Sequence, residues 1–206
     1  MRLALLDNRD SFVWNLVHLA HQRGADVRLF GPTGHALFDT REGPLEPASR
    51  APGLAALEAF APDAVLVGPG PGHPDAATLA RAVFERFTDR PVLGVCLGHQ
   101  VLARLHGAGI ARSEELGHGR PVRIAHDGSG LFAGLDQQAT AARYHSLCAV
   151  DVPGPLRVTA RSPGGEVLAV AHRTHPHCGV QFHPESLLAS CGARLMDNFL
   201  RSSSLH

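Results

Sequence analysis

The chain has 206 residues, a length that predicts one large domain rather than two small ones, and its 44% apolar content can supply the core. Nineteen arginines balance nineteen acidic residues and lysine is absent, so the net charge is zero. Because no basic excess is present to neutralise a phosphate backbone, nucleic acid is not an expected partner.

The first predicted element is a short buried strand over Arg2–Asp7. Its apolar run, Leu3–Leu6, is too short for a signal-peptide core or a membrane span, so we expect a cytoplasmic protein with no membrane partner. Asp10 and Ser11 are the predicted N-cap of an amphipathic helix that begins at Phe12 and ends at Gly24.

The same order of strand and helix recurs along the first half of the chain. Later segments that fit this order are a strand over Ala25–Phe30, a strand over Ala64–Val67, a helix over Asp75–Phe87 and a strand over Pro91–Val95. Such alternation predicts an α/β fold with a parallel sheet and helices on both faces.

The stretch between strand and helix at Gly31–Pro52 has no clear periodicity. Its four prolines and its charges favour a surface loop, which we interpret as a tolerated insertion.

After Pro121 the pattern changes to short strands separated by turn residues, which predicts added antiparallel strands and hence a mixed, mainly parallel sheet. The predicted strands are Val122–Ala125, Thr140–Tyr144, Leu156–Arg161, Val167–His172 and Cys178–Phe182. A last helix over Ser186–Arg201 closes a domain of residues 1–201, and residues 202–206 are expected to be a frayed tail.

A candidate nucleophile lies where the strand over Pro91–Val95 meets a helix. Gly94-Val95-Cys96-Leu97-Gly98 has the Gly-x-nucleophile-x-Gly form of a nucleophile elbow, with cysteine as the nucleophile. The two glycines remove side chains that would collide with the neighbouring strand and helix, and the helix N-terminus favours the thiolate. The alternative is a small buried hydrophobic residue, the usual role of an unpaired cysteine.

A candidate base lies at the end of the last predicted strand, in Phe182-His183-Pro184-Glu185. Pro184 holds His183 in an extended conformation, in which residues i and i+2 point the same way. Glu185 can therefore bond the His183 ring and fix its tautomer, as in a catalytic triad with Cys96. On its own, such a pair is more typical of the protein surface.

A glycine-rich loop, Gly68-Pro69-Gly70-Pro71-Gly72, follows the strand over Ala64–Val67 at the sheet edge where open α/β proteins bind ligands. An N–H of this loop and the N–H of Leu97 can form an oxyanion hole. Taken alone, a Pro/Gly repeat is usually a turn.

Five motifs together resemble the class I glutamine amidotransferases, in the right order and over nearly the whole chain. They are Asp7–Phe12, Gly68–Gly72, Gly94–Gln100, Arg143-Tyr144-His145-Ser146-Leu147 and Gly179–Ser186. The Arg143–Leu147 motif resembles the branch that serves chorismate-using enzymes, the glutaminase subunits of anthranilate synthase and aminodeoxychorismate synthase. The resemblance implies a flavodoxin-like architecture and hydrolysis of L-glutamine, with ammonia passed through a tunnel to the large synthase subunit.

The resemblance also implies residue roles. Cys96, His183 and Glu185 would form the catalytic triad, with oxyanion-hole N–H groups from Gly70 and Leu97. Glutamine would be bound by Gly70, Pro71, Gly72, Gln100, Ser146 and Leu147. No metal and no organic cofactor is implied for this half-reaction.

The chain departs from the family pattern at several positions. Arg9 stands where tyrosine is usual, Ala189 where threonine is common, and Pro121 follows the interface-like segment His118-Gly119-Arg120. These differences leave open a secondary-metabolite synthase of the phenazine type as the partner. A regulatory subunit that keeps the fold without turnover is the alternative from another functional class.

Other histidines and cysteines are assigned no chemistry. His172, His175 and His177 are interpreted as a solvated hairpin loop rather than a zinc site. The four cysteines lack the spacing of a disulfide framework, so each is considered alone. Cys148 and Cys178 are expected to fill the core, and Cys191 to be exposed.

Overall fold

A computed structural model describes residues 1–45, 53–115 and 119–202. The strands are β1 (Arg2–Leu6), β2 (Asp26–Phe30), β3 (Ala36–Asp39), β4 (Gly43–Pro44), β5 (Ala64–Val67), β6 (Val92–Val95), β7 (Gly109–Arg112), β8 (Arg120–Arg123), β9 (Ala125–His126), β10 (Thr140–Arg143), β11 (Leu147–Val150), β12 (Leu156–Arg161), β13 (Val167–His172) and β14 (His177–Val180). The α-helices are α1 (Val13–Gln22), α2 (Leu54–Phe60), α3 (Thr78–Arg86), α4 (Leu97–Leu105) and α5 (Gly192–Ser202). None of the helices in these ranges has the length and apolar character needed to span a bilayer.

The main sheet has ten strands in the described residues, in the order β4-β3-β2-β1-β5-β6-β14-β13-β12-β9. Its centre, from β2 to β14, is parallel, and antiparallel strands extend it on both sides. Two antiparallel pairs, β8 with β10 and β7 with β11, lie outside this sheet. The predicted α/β class with a mixed, mainly parallel sheet is confirmed.

The central strands are buried on both faces, as their unbroken apolar sequences require. In β1, Leu3 and Leu5 face the cluster that contains α1 and α5, whereas Ala4 and Leu6 face the cluster that contains α2, α3 and α4. Because the sheet is covered on both faces, the site can open only along its edges and at the strand ends.

The first helix starts later than predicted. It begins at Val13, with Phe12 as its N-cap and no side-chain cap. Asp10 instead uses its Oδ1 to accept the N–H of Phe12 at 2.8 Å, and its own N–H bonds Asp7 at 3.0 Å. Its hydrogen bonds therefore build the turn that precedes the helix, so the prediction of Asp10 and Ser11 as the cap was wrong.

The predicted insertion at Gly31–Pro52 is partly regular structure. Strands β3 and β4 form a hairpin that pairs with β2 and extends the sheet. Phe38 of β3 packs edge-on against Trp14 with ring centroids 5.1 Å apart, which anchors the hairpin to α1. Residues 46–52 of the predicted loop lie outside the described residues.

The last helix begins at Gly192, not at Ser186 as predicted. Ser186 starts a turn in which its carbonyl accepts the N–H of Ala189, and a side chain on Gly192 would overlap the Pro184 carbonyl oxygen. The chain must therefore turn before it can form a helix. Ser202, predicted to belong to the tail, is the last residue of α5, and residues 203–206 lie outside the described residues.

Two predictions of exposure are wrong. Cys191 is 2% exposed, because the chain turns inward where the Ser190 N–H bonds the Thr140 carbonyl at 3.0 Å. His177 is also 2% exposed; it packs against Phe84 and its Nε2 bonds the Phe87 carbonyl at 2.9 Å. The expectation of a fully solvated histidine loop fails because β14 already begins at His177.

Candidate functional site

The predicted elbow lies at the carboxyl end of β6. Cys96 links β6 to α4 with φ 52° and ψ −100°, a sparsely populated positive-φ conformation that costs a non-glycine residue on the order of 1–3 kcal/mol. A side chain on Gly94 would overlap the backbone of Gly98, and one on Gly98 would overlap the Val67 carbonyl oxygen. The predicted steric reason for both glycines is confirmed, and it allows the sulfur to stand at the start of α4.

His183 and Glu185 lie as the extended-segment argument predicts. The His183 Nδ1 and Glu185 Oε1 are 2.6 Å apart, and both side chains are almost completely buried. His183 is tied to β10 by its N–H, which bonds the Ala142 carbonyl at 3.1 Å. The rings of Phe12 and Tyr144 contact the imidazole edge-on, with centroids 5.8 and 5.1 Å from it. The imidazole is thus held in place from three sides.

The electrostatics of His183 favour its charged form. Burial lowers its pKa, but hydrogen bonds to Cys96 and Glu185 outweigh burial and raise the pKa of His183 to about 10. Because Nδ1 faces Glu185, Nε2 is the ring nitrogen left for the thiol. Cys96 and His183, 87 positions apart in the sequence, therefore interact at one site, where a carboxylate orients the imidazole.

The glycine-rich loop lies beside the elbow. The Gly68 N–H bonds the Leu6 carbonyl at 2.9 Å, and the Gly68 carbonyl accepts a bond from Asn8 Nδ2, also at 2.9 Å. A side chain on Gly70 would come within 2.5 Å of the Asn8 Cβ and 2.9 Å of Leu97 Cδ2. The loop is fastened to β1 and approaches the first residue of α4 so closely that position 70 requires glycine.

A cavity of about 360 Å³, here called the elbow pocket, opens at Cys96. This volume is within the range typical of small-molecule sites. Its lining includes Arg9, Asp10, Ser11, Phe12, Gly70, Pro71, Gly72, Cys96, Gln100, Tyr144, His145, Ser146, Leu147 and His183. All six residues expected to bind glutamine lie in this lining, and Glu185 lies behind His183.

A buried ionic cluster supports the strip from Arg143 to Leu147. Glu166, just before β13, bonds Arg143 Nη1 and His145 Nε2, each at 2.6 Å, and also the Ser113 hydroxyl. Burial raises the pKa of Glu166, but the bonds from His145, Arg143 and Ser113 outweigh it and lower the pKa to about 2. A single carboxylate thus fixes this part of the pocket wall to the β12–β13 hairpin.

Glu166 and Gln181 also belong to the site, although no role was predicted for them from the sequence. Gln181 is 0% exposed and contacts both Cys96 and Gln100. The sequence does indicate Gln181, because it is a polar residue between two apolar ones. It also lies two positions before His183 and hence on the same side of the extended chain. Glu166 gave no comparable signal, because its partners come from distant segments.

The other three thiols are not prepared for chemistry. Burial raises the pKa of Cys148 to about 11, of Cys178 to about 12 and of Cys191 to about 11. Cys148 borders a second cleft, of about 540 Å³, where the negative charge of Glu166 disfavours a thiolate further. Among the residues that the structure describes, no group of three or more His, Cys, Asp or Glu side chains is arranged to hold a metal ion.

The chain matches a known protein family and a known structure. The family model described as glutamine amidotransferase class-I matches residues 4–203. The chain belongs to this family. A candidate GMP synthase subunit from Thermoplasma acidophilum has the same fold, with a TM-score of 0.81 over 100% of this chain and 94% of that one, at 18% identity.

Curated relatives match the chain along its whole length. An aminodeoxychorismate synthase from Streptomyces pristinaespiralis is 42% identical over 97% of this chain, which spans only 26% of that protein. Aminodeoxychorismate synthase component 2 of Klebsiella aerogenes is 39% identical, with 96% of this chain and 98% of the relative covered. Anthranilate synthase component 2 of Halobacterium salinarum is 37% identical, with both chains covered completely.

Proposed function

We propose that this chain hydrolyses L-glutamine to glutamate and supplies the ammonia to a chorismate-using synthase. The observation that carries the proposal is that Cys96 and His183 line the same small-molecule pocket and interact there, with Glu185 bonded to the imidazole. Membership of the class-I glutamine amidotransferase family supports glutamine as the substrate.

In the proposed mechanism, the Cys96 thiolate attacks the side-chain amide carbon of glutamine and forms a carbon–sulfur bond. The N–H groups of Leu97 and Gly70 stabilise the oxyanion. When the intermediate collapses, the carbon–nitrogen bond breaks, and the nitrogen takes a proton from the His183 imidazolium and leaves as ammonia. Neutral His183 then deprotonates a water molecule that hydrolyses the thioester, which releases glutamate and regenerates the thiolate.

The pocket wall supplies the proposed substrate contacts. Gln100, Ser146 and Leu147 would hold the amino-acid end of glutamine, and Pro71 and Gly72 line the same pocket. The proposed half-reaction uses side chains, two backbone N–H groups and water, with no metal or organic cofactor.

The proposed partner is a large synthase subunit, as the names of the component 2 relatives suggest. Leu187 is completely exposed and Leu188 is 42% exposed, directly after Ser186, whose hydroxyl bonds Tyr144 at the pocket. Arg9, which lines the elbow pocket, is also exposed. These three exposed side chains are here called the pocket rim. We propose that the partner covers this rim, so that ammonia leaves the pocket without entering bulk water.

The test is glutamate release by the purified chain, alone and with the large subunit of anthranilate or aminodeoxychorismate synthase plus chorismate. Cys96→Ala should lower glutamine-dependent turnover by about 10³-fold or more, because the nucleophile is lost. Ammonium salts should still support synthesis by the partner. Cys148→Ala is the matched control, since it removes a thiol outside the elbow pocket.

Each result has a defined meaning. Glutamine use that persists in Cys96→Ala would overturn the triad. Hydrolysis that neither large subunit stimulates would move the acceptor to another synthase, such as a secondary-metabolite enzyme. A chain without turnover under all of these conditions would be a regulatory subunit.

A further inference from the structure

Gln181 carries a buried amide that the proposed mechanism does not use. It follows β14, is 0% exposed, and stands between Val180 and Phe182, which are equally buried. Burying an amide side chain without partners costs roughly 1–3 kcal/mol, so this position needs a reason other than packing.

Its two polar atoms have two partners, both in the elbow pocket. Gln181 Oε1 accepts a hydrogen bond from Gln100 Nε2 at 3.1 Å, and Gln181 Nε2 donates to Cys96 Sγ at 3.8 Å. Gln100 Nε2 also donates to the Leu147 carbonyl at 2.9 Å. A chain of contacts thus runs from the Leu147 backbone through two amides to the sulfur.

The direction of this chain is fixed at one end. The Leu147 carbonyl can only accept, so Gln100 must turn its NH₂ group towards it. The second hydrogen of that NH₂ group meets Gln181, which must therefore present its oxygen to Gln100 and its own NH₂ group to Cys96. Any other orientation of Gln181 would place two donors face to face.

We propose that Gln181 is a further residue of the nucleophile site: its amide N–H donates to the Cys96 thiolate, and its amide oxygen orients Gln100. A donor at the sulfur favours the thiolate over the thiol. Because both hydrogens of Gln100 are engaged, its oxygen is the group that it offers to the pocket. Gln181 thereby couples the nucleophile to a wall residue, and this second role rests on the proposed glutaminase function.

Other titratable groups interact with one another around the site, and the test must keep them constant. His183 interacts with Cys96, and Glu185 bonds the Nδ1 atom of its ring. His99, on α4, interacts electrostatically with His145 and Glu166, and His145 interacts with His183. Substitutions at position 181 leave all five of these residues in place.

The decisive measurement is the rate of iodoacetamide alkylation at Cys96 as a function of pH, followed by peptide mass spectrometry. Gln181→Met keeps the length of the side chain but removes the donor, and should raise the midpoint of the profile by about 0.5 to 1 pH unit. Gln181→Glu places a carboxylate beside the sulfur and should raise it at least as much. Gln22→Met and Gln22→Glu, on the exposed end of α1, are the matched controls and should leave the midpoint unchanged.

A midpoint that stays within 0.2 pH unit of the unmodified protein in either folded Gln181 variant would overturn the donor role. Circular dichroism and thermal melting establish which variants are folded. In the unmodified protein, the side-chain ¹⁵N–¹H signals of Gln181 should shift with the same midpoint as alkylation. If these signals do not change with pH at that midpoint, the proposal is wrong, and this result requires no variant.

The coupling role is tested by kinetics. KM for glutamine should rise several-fold in Gln181→Met, because Gln100 loses its orientation; an unchanged KM would overturn this role. Alkylation requires no glutamine turnover, so the two proposals fail separately. A shifted midpoint in a chain without glutaminase activity would retain the donor and reject the proposed function, whereas turnover with an unshifted midpoint would do the reverse.

Discussion

At the scale of single residues, the chemistry depends on which titratable groups have partners. His183 is nearly as buried as His177, yet their pKa values move in opposite directions. Burial disfavours the charged form of both rings, but only His183 has a carboxylate and a thiol beside it. The positive charge on His183 is therefore stabilised by two specific neighbours, Glu185 and Cys96.

The role of Glu185 follows from this contrast. Glu185→Gln preserves the shape of the side chain but removes the charge that helps to raise the pKa of His183. We expect kcat/KM to fall by about 10²- to 10⁴-fold and the alkaline limb of its pH profile to move to lower pH, since His183 then loses its proton earlier. Both are read from kcat/KM between pH 6 and 10. Glu114→Gln, at an exposed position, is the control; an unmoved alkaline limb in Glu185→Gln would contradict the assignment.

At the scale of elements, one sharp turn between β6 and α4 determines where the sulfur stands. The turn works because neighbouring backbones occupy the space that side chains would need at positions 94 and 98. Gly98 is needed for close packing as well as for the turn, because the absence of a side chain lets the start of α4 approach β5.

Gly98→Ala tests this packing. Its Cβ would overlap the Val67 carbonyl oxygen, so α4 must shift, and we expect a loss of about 1–3 kcal/mol in the free energy of unfolding. Denaturant titration measures the loss of stability. The alkylation rate of Cys96 should also fall. Gly154→Ala is the matched control, because a Cβ there meets no atom within 4 Å. Equal stability of the two variants would show that the elbow tolerates a side chain.

The elements that the sequence predicted best are those with strong local signals. The strands β1, β5 and β6 are unbroken apolar runs bounded by turn residues, and the elbow and the His-x-Glu segment have fixed spacing. The residues 109–112 and 147–150 carry weak patterns and become β7 and β11 by pairing with each other. The start of α5 was misplaced because it depends on contact between Gly192 and Pro184, which the local sequence does not reveal.

The contrast between local signals and long-range contacts also separates the predicted residues of the site from the missed ones. Cys96, His183 and Gly70 lie in motifs whose chemistry is visible over five to eight residues. Glu166 matters only because Arg143, His145 and Ser113 converge on it from two other segments. Long-range contacts of this kind exist only once the chain has folded.

At the scale of the whole molecule, histidine dominates the response to acid. The chain has 14 histidines. Burial lowers the pKa of His99 and of His177 to about 4, and His106, His145 and His172 are lowered as well. The unfolded chain therefore binds more protons than the folded one between about pH 6.5 and 4. His183 has the opposite sign, since its pKa is raised.

We therefore expect the free energy of unfolding to fall as the pH drops from 7 to 4, by up to about 3 kcal/mol for His177 and again for His99. Urea titrations at pH 7.5, 6 and 5 measure the slope. His177→Gln keeps a donor for the Phe87 carbonyl but does not titrate, so its slope should be shallower. His18→Gln, on the exposed face of α1, should behave as the unmodified protein, and equal slopes in all three proteins would reject the assignment.

The ends of the main sheet decide how the molecule can meet other chains. Both outer strands, β4 and β9, have only two residues, and Pro44 in β4 lacks an amide hydrogen. Strand addition at a sheet edge needs a long row of free backbone donors and acceptors, which these short strands do not provide. At these two strands the main sheet thus resists extension by another chain, so recognition there depends on side chains.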